Sequence, residues 1–151
     1  MTTPNATSRQ TGNRMQSVLE RTGLLSADQV RLLVERYDNN PQPIPSLAAE
    51  TGAASEEALT EALADVMRIP MIRIGEMAIG RDVLDKLPTK AVYQYRAIPY
   101  QLQDGRLWVC TADPFAPGLA DALRLASGQR IRMAIGLPNE VDRAAKRLYG
   151  V

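Results

Sequence analysis

The side chains most used for catalysis are sparse in this sequence. Among 151 residues there is no histidine and one cysteine, Cys110. A structural zinc site takes about four Cys or His ligands, so no metal site is expected. Ser-His and Cys-His nucleophile pairs are excluded outright. No disulfide can close within the chain, which suits a reducing compartment. Cys110 lies in an apolar run and reads as a small packed hydrophobe. There is no Gly-x-x-x-x-Gly-Lys-Ser/Thr loop, no Gly-Lys pair at all, and no Gly-x-Gly-x-x-Gly after a strand. Asp113 is the most pointed carboxylate. It closes an expected strand just before Pro114, where it reads as a turn residue accepting backbone N–H groups. Trp108 reads as core rather than as a stacking platform. Tyr93, Tyr95 and Tyr100 gather near Arg96, where a half-buried sheet edge accounts for them. The chain by itself is therefore read as non-enzymatic, with no cofactor.

Two differently patterned halves must hold these side chains. In the first, Thr22-Gly23-Leu24-Leu25-Ser26-Ala27-Asp28 returns 29 residues later as Thr51-Gly52-Ala53-Ala54-Ser55-Glu56-Glu57. At the same offset Met15, Val18 and Leu19 fall on Ile44, Leu47 and Ala48, and Val30, Leu33 and Val34 fall on Leu59, Ala62 and Leu63. This spacing predicts one buried stripe per helix. Gly23 and Gly52 suit helix ends, Ser26 and Ser55 suit the next N-caps, and Gln29 completes a capping box with Ser26. Four helices in two helix–turn–helix repeats are expected over residues 13–67. Residues 1–12, polar and poor in anything to bury, read as a disordered tail.

Residues 68–151 mix periods. Met71 to Ile74 reads as a short strand, Arg81 to Leu87 as a helix stopped by Pro88, and Lys90 to Tyr95 as a further helical turn or two. Ala97–Gln103 and Arg106–Ala112 read as a hairpin around a type I′ Asp104-Gly105 turn, with Pro99 placing the first strand at an edge or near its start. A helix over Gly118 to Ser127, a strand around Ile131 to Ile135 and a last helix capped by Asn139 complete an α+β unit with a small, mainly antiparallel sheet.

Charge divides the halves. Gly12 to Met67 holds 4 basic and 9 acidic residues, net −5, whereas Arg68 to Val151 holds 13 basic and 8 acidic, net +5. A helix–turn–helix invites a DNA reading, but Glu56 to Met67 carries Glu56, Glu57, Glu61 and Asp65 and no base, so its field repels DNA. Glu57, Glu61 and Asp65 recur every four residues beside Leu59, Leu63 and Val66, a candidate protein-docking face. No run approaches the ~18 apolar residues of a membrane span, and the N-terminus has no apolar signal segment. A cytoplasmic chain is expected.

Several segments together resemble the N-terminal domain of the ATPases that power type II secretion and type IV pilus assembly. They are Ile69-Pro70, the leucine-proline after Asp82, Tyr95-Arg96-Ala97-Ile98-Pro99, Thr111-Ala112-Asp113-Pro114, Leu123 to Gly128 and Arg147-Leu148-Tyr149-Gly150. The resemblance implies a docking or regulatory domain, with the phosphate loop in a later domain of a full-length relative. The implied partner is the cytoplasmic domain of an inner-membrane platform protein, which would recruit the chain to the inner membrane; the ATPase domain of the same parent is a further implied contact. Some relatives bind cyclic di-GMP through a doubled motif, of which the 29-residue repeat is the counterpart, so a cyclic di-GMP sensor is the alternative. Copy one keeps Arg14, Met15, Leu19, Gly23, Leu24 and Leu25, but has Gln16 for a Gly and ends at Tyr37 in place of a Gln. Copy two keeps Gly52 but begins Pro43-Ile44-Pro45, without Arg or Gly. Losing a stacking, phosphate-pairing Arg and a close-approach Gly argues against cyclic di-GMP as a ligand.

Overall fold

The computed structural model describes residues 6–150, with side chains from residue 14 onward. Four helices come first: α1 (Ala6–Arg21), α2 (Ala27–Asn39), α3 (Ile44–Glu50) and α4 (Glu56–Met67). Of the tail expected over residues 1–12, residues 1–5 lie outside the described residues, and from Ala6 onward the backbone is already helical.

The repeat is built as its punctuation dictates. Gly23 and Gly52 take left-handed φ of 72° and 75°. After α3 the Gly52 N–H donates to Ala49 O at 3.2 Å and the Ala53 N–H to Ala48 O at 2.9 Å, closing a Schellman turn. Ser26 Oγ accepts from the Gln29 N–H at 3.1 Å while Gln29 Oε1 accepts from the Ser26 N–H at 2.8 Å. Ser55 Oγ accepts from the Ala58 N–H at 3.1 Å. Met15, Val18 and Leu19 and their counterparts Ile44, Leu47 and Ala48 are all buried, as are Val30 and Leu59. Further along, the two copies slip in phase. α2 turns Leu33 and Tyr37 inward, whereas α4 buries Leu63 and Ala64.

Arg68 ends α4 in the left-handed conformation, and the chain runs into α5 (Arg81–Leu84) and α6 (Thr89–Tyr95). The hairpin follows, with β1 (Ala97–Gln103) antiparallel to β2 (Arg106–Thr111). Asp104 and Gly105 both have positive φ, 54° and 71°, as a type I′ turn requires. A crossover through α7 (Leu119–Ser127) then returns β3 (Arg130–Ile135) parallel to β2. The fold is α+β as expected. Its three-stranded sheet, in the order β1-β2-β3, is mixed, with one antiparallel and one parallel ladder. The crossover explains this, because a helix between two strands brings the second back parallel. The strand expected at Met71 to Ile74 is reduced to a single parallel bridge, Met71 to Ile135. The last helix, α8 (Pro138–Tyr149), begins with Pro138 in its first turn and Leu137 at the cap, not with Asn139 as cap.

Two cores result. The sheet packs against α5 to α8 around Ile98, Leu107, Val109, Leu123 and Val141. The helical repeats pack around Leu19, Leu33, Leu59 and Leu63, and this second core also takes in Phe115 and Ile135 from the α+β half. Gly136, just past β3, is a close-approach glycine: a Cβ there would lie 2.5 Å from Cys110 Sγ and 3.1 Å from Val141 Cγ2. Gly136→Ala should therefore cost about 1–3 kcal/mol of stability by overpacking. Adding Cys110→Ala should recover part of that loss, measured by urea denaturation of the two single variants and the double. Strictly additive losses would show that the sulfur is not what the new methyl strikes.

Candidate functional site

The α4 carboxylates are placed by the cap and stripe beneath them. Ser55 starts the helix, Leu59, Thr60, Leu63 and Ala64 turn inward, and Glu57, Glu61 and Asp65 are exposed, with Glu56 half-buried. Glu57 does not stand free on this face. Its Oε1 accepts from Arg73 Nη1 at 2.9 Å, and Arg73 Nη2 lies 2.9 Å from Glu140 Oε2 on α8. Glu140 is 12% exposed, and its Oε1 also accepts from the Gly75 N–H at 3.3 Å. Arg147 donates to the carbonyls of Gly75 at 2.9 Å and Met77 at 3.1 Å. The connecting segment after α4 is thus stitched to α8, and Arg73 ties both to α4. These residues border a surface cavity of about 380 Å³ lined by Arg73, Glu76, Glu140, Arg143 and Arg147. Glu61 and Asp65 form no ion pair among the described residues.

The residues of the doubled motif differ in exposure. Met15 and Leu19, read from the sequence as ligand contacts, are 1% and 0% exposed in the helical core. Their apolar spacing marks a packed stripe. Arg14, Leu24 and Gly23 are exposed and Leu25 is half-buried. Arg14 lines a cavity of about 300 Å³ with Pro114, Gly118, Leu119, Asp121 and Met133 from the other half. Gly52 occupies the equivalent turn of the second repeat, and at both glycines the space where a Cβ would stand is open.

A third arrangement joins the halves. Asp113 is a turn residue as expected, its Oδ1 accepting from the Phe115 N–H at 3.2 Å. Its Oδ2 accepts from the Tyr37 hydroxyl at 2.8 Å, across 76 residues of sequence. Burial raises the Asp113 pKa above the usual carboxylate range, while the Tyr37 hydroxyl, the Phe115 N–H and the Arg96 charge pull it down. Burial, then the Asp113 charge, hold the Tyr37 phenol far above its ordinary value, so it stays a neutral donor. With both oxygens engaged, the carboxylate is positioned as a fastening between halves rather than as a nucleophile or general base. Sequence reasoning marked Tyr37 only as a departure from a motif; the signal it missed was an aromatic hydroxyl on a buried stripe, which needs a partner. Cys110 is fully buried and its thiol is pushed up to about 12, so it is an inert packing group. Trp108 is half-buried. Among the described residues no group of three Cys, Asp or Glu is placed to hold a metal, and no helix is long and apolar enough to cross a membrane.

Fold and polar geometry together describe a two-part domain, helical repeats fastened to an α+β unit. Residues 67–151 match the MshEN domain, and the chain belongs to that family. It is 28% identical over 142 residues to the type II secretion system protein E of Xanthomonas campestris pv. campestris, covering 90% of this chain and 24% of that protein. It is 24% identical over 136 residues to the type IV pilus assembly ATPase PilB of Myxococcus xanthus, again covering 90% of this chain and 24% of that protein. The chain therefore spans about a quarter of the length of these curated relatives, and it is related to their N-terminal regions. A structure of MshE with cyclic di-GMP superposes with a TM-score of 0.72 at 20% identity, covering 90% of this chain and 99% of that one. The N-terminal domain of XpsE superposes with a TM-score of 0.66 at 24% identity, covering 96% and 98%. These likenesses bear out the α+β architecture.

The fastening between halves has a pH signature. A folded-state pKa above the unfolded value of about 3.9 means that the folded chain binds the Asp113 proton more tightly. Wild-type stability relative to Asp113→Asn should then fall as pH rises from about 4 through the folded value, and level off above it. Tyr37→Phe should cost about 1–3 kcal/mol at neutral pH by leaving a buried acceptor underused. It should also move the decline to higher pH, because the lost donor favoured the carboxylate. Urea denaturation at several pH values measures both, and a pH-independent difference would remove the titration from Asp113.

Proposed function

We propose that this chain is the non-catalytic docking and regulatory N-terminal domain of a type II secretion or type IV pilus assembly ATPase. It binds the cytoplasmic domain of an inner-membrane platform protein and is thereby held at the cytoplasmic face of that membrane. The observation that carries this reading is the outer side of α4, a helix with four carboxylates and no base, on which Glu61 and Asp65 form no ion pair among the described residues. Glu56, Glu57, Glu61 and Asp65 form the docking face, with Glu57 shared with Arg73. The relatedness to secretion and pilus ATPases supports the parent, and hydrolysis then belongs to another domain of it. Charge reversal by Glu61→Lys with Asp65→Lys should slow association with the platform domain, and more so at low salt, since steering charges act chiefly on the on-rate. Stability should change by less than about 0.5 kcal/mol. Surface plasmon resonance at two salt concentrations reads this directly; unchanged association rates at both would leave α4 a merely solvated face.

The second reading, a cyclic di-GMP sensor, is favoured by Arg14 lining a cavity between the halves and by the MshE complex. Copy one alone keeps Arg14 with Gly23, Leu24 and Leu25, so one half of a two-fold ligand is held and the affinity is weak. Isothermal titration should give a saturable heat near ~100 μM ligand, about −5.5 kcal/mol of binding, that disappears with Arg14→Ala. Absence of heat in the wild type would eliminate this reading and leave the docking one untouched.

A further inference from the structure

The sheet carries a second charged face, of opposite sign to α4. In register, Trp108 lies between Gln101 and Arg132, and Arg106 lies between Gln103 and Arg130. Residues paired across neighbouring strands point to the same side of a sheet. These six side chains therefore share one face, and all are exposed except Trp108, which is half-buried. One rung further along the same face, Cys110 is buried in the core with Val141 and Ala144 of α8, and its partner Ala134 is fully buried. α8 thus covers one end of the face and leaves the arginine end bare. None of these six strand positions is a carboxylate, and among the described residues Arg106, Arg130 and Arg132 form no ion pair.

We infer that the face of Arg106, Trp108, Arg130 and Arg132 docks the α4 face of a second copy of this chain, head to tail. The inference rests on the reading of α4 as a docking face, and names an occupant for it. The charges match: the arginines meet Glu61 and Asp65, the exposed α4 carboxylates that Arg73 does not engage. The spacings match as well. Carboxylates four apart on a helix are about 6 Å apart along the axis. Arg130 and Arg132, two apart on a strand, are separated by about 6.6 Å, with Arg106 about 4.8 Å to the side of Arg130. Arginine forks suit carboxylates at this spacing, where lysines would give only point charges. The two faces do not meet within one molecule. Ile135, at the end of β3, is packed in the helical core, while Arg132 and Arg130 lie about 10 and 16 Å back along the strand. Because the surfaces differ, each pairing leaves one of each kind open, so association is heterologous and continues beyond two copies. A platform domain bound at α4 would compete with it.

Sedimentation equilibrium of the whole chain at ~0.5 mM, where high-micromolar association is visible, is the test. At low salt the average mass should exceed 16.6 kDa and climb with concentration, and it should return to the monomer at ~0.5 M salt. Arg130→Glu with Arg132→Glu should give monomer throughout, as should Glu61→Arg with Asp65→Arg. An equimolar mixture of these two variants should restore association, through the intact α4 of one with the intact sheet face of the other and through the exchanged charges, which also proves both folded. A monomeric wild type at low salt, or a mixture that stays monomeric, overturns the inference. Platform binding measured separately on the Arg130→Glu, Arg132→Glu variant keeps the two readings apart. That binding should be undiminished, and its loss would count against the assignment of docking to α4 rather than against self-association.

Discussion

Four short amphipathic helices enclose little volume, and the geometry of this domain follows from how that shortage is met. α3 has seven residues, α4 twelve, and neither could cover the other's stripe with side chains as small as Ala48 and Ala64. Phe115 and Ile135 complete the helical core from outside it. Each fully buried side chain of that size is worth about 1.5–3 kcal/mol, a large part of the stability of a small unit. Once Phe115 is inserted, Asp113 is drawn under the helices with it. A carboxylate buried there needs donors, and Tyr37 and the Phe115 N–H supply them. The pairing of the helical half with the α+β half is thus one linked event: apolar insertion and polar satisfaction require each other.

What the sequence made legible is local. Gly23, Ser26, Gly52 and Ser55 mark helix ends because their backbone and side-chain chemistry acts within four residues. Asp104-Gly105 specifies its turn for the same reason. The parallel return of β3, the bridge of Met71 to Ile135 and the Tyr37–Asp113 bond connect residues tens of positions apart, and no periodicity encodes such partners. Of the site residues, the solvent-facing carboxylates of α4 follow directly from helical spacing. The motif residues do not, because one apolar pattern serves a packed stripe and a ligand-lining stripe alike; Met15 and Leu19 are buried in the helical core. Glu57 differs for another reason: helical spacing places it on the face, but only the tertiary position of Arg73 decides that it is engaged.

The division of charge along the chain acquires meaning through this arrangement. Arg73 crosses between an acidic helix and Glu140 of α8, so some of the opposite charge is consumed inside the molecule, as exposed pairs worth little individually. What remains lies on two surfaces. Both are built on regular elements, α4 and the sheet, so the charges are held at fixed spacing rather than on loops.

The sheet itself has two edges that differ in kind. β3 is flanked by the connecting segment, through the Ile72 N–H to Ile135 O bond at 2.9 Å and the Ile135 N–H to Pro70 O bond at 2.9 Å. Among the described residues β1 has no strand on its outer side. That strand carries Pro99, which offers no N–H, and its pairing register shifts between Pro99 and Gln101. An unbroken row of free donors and acceptors would invite another strand to add on and seed aggregates. Here the row is interrupted near its middle, so copies of this chain can lie close together without their sheets fusing.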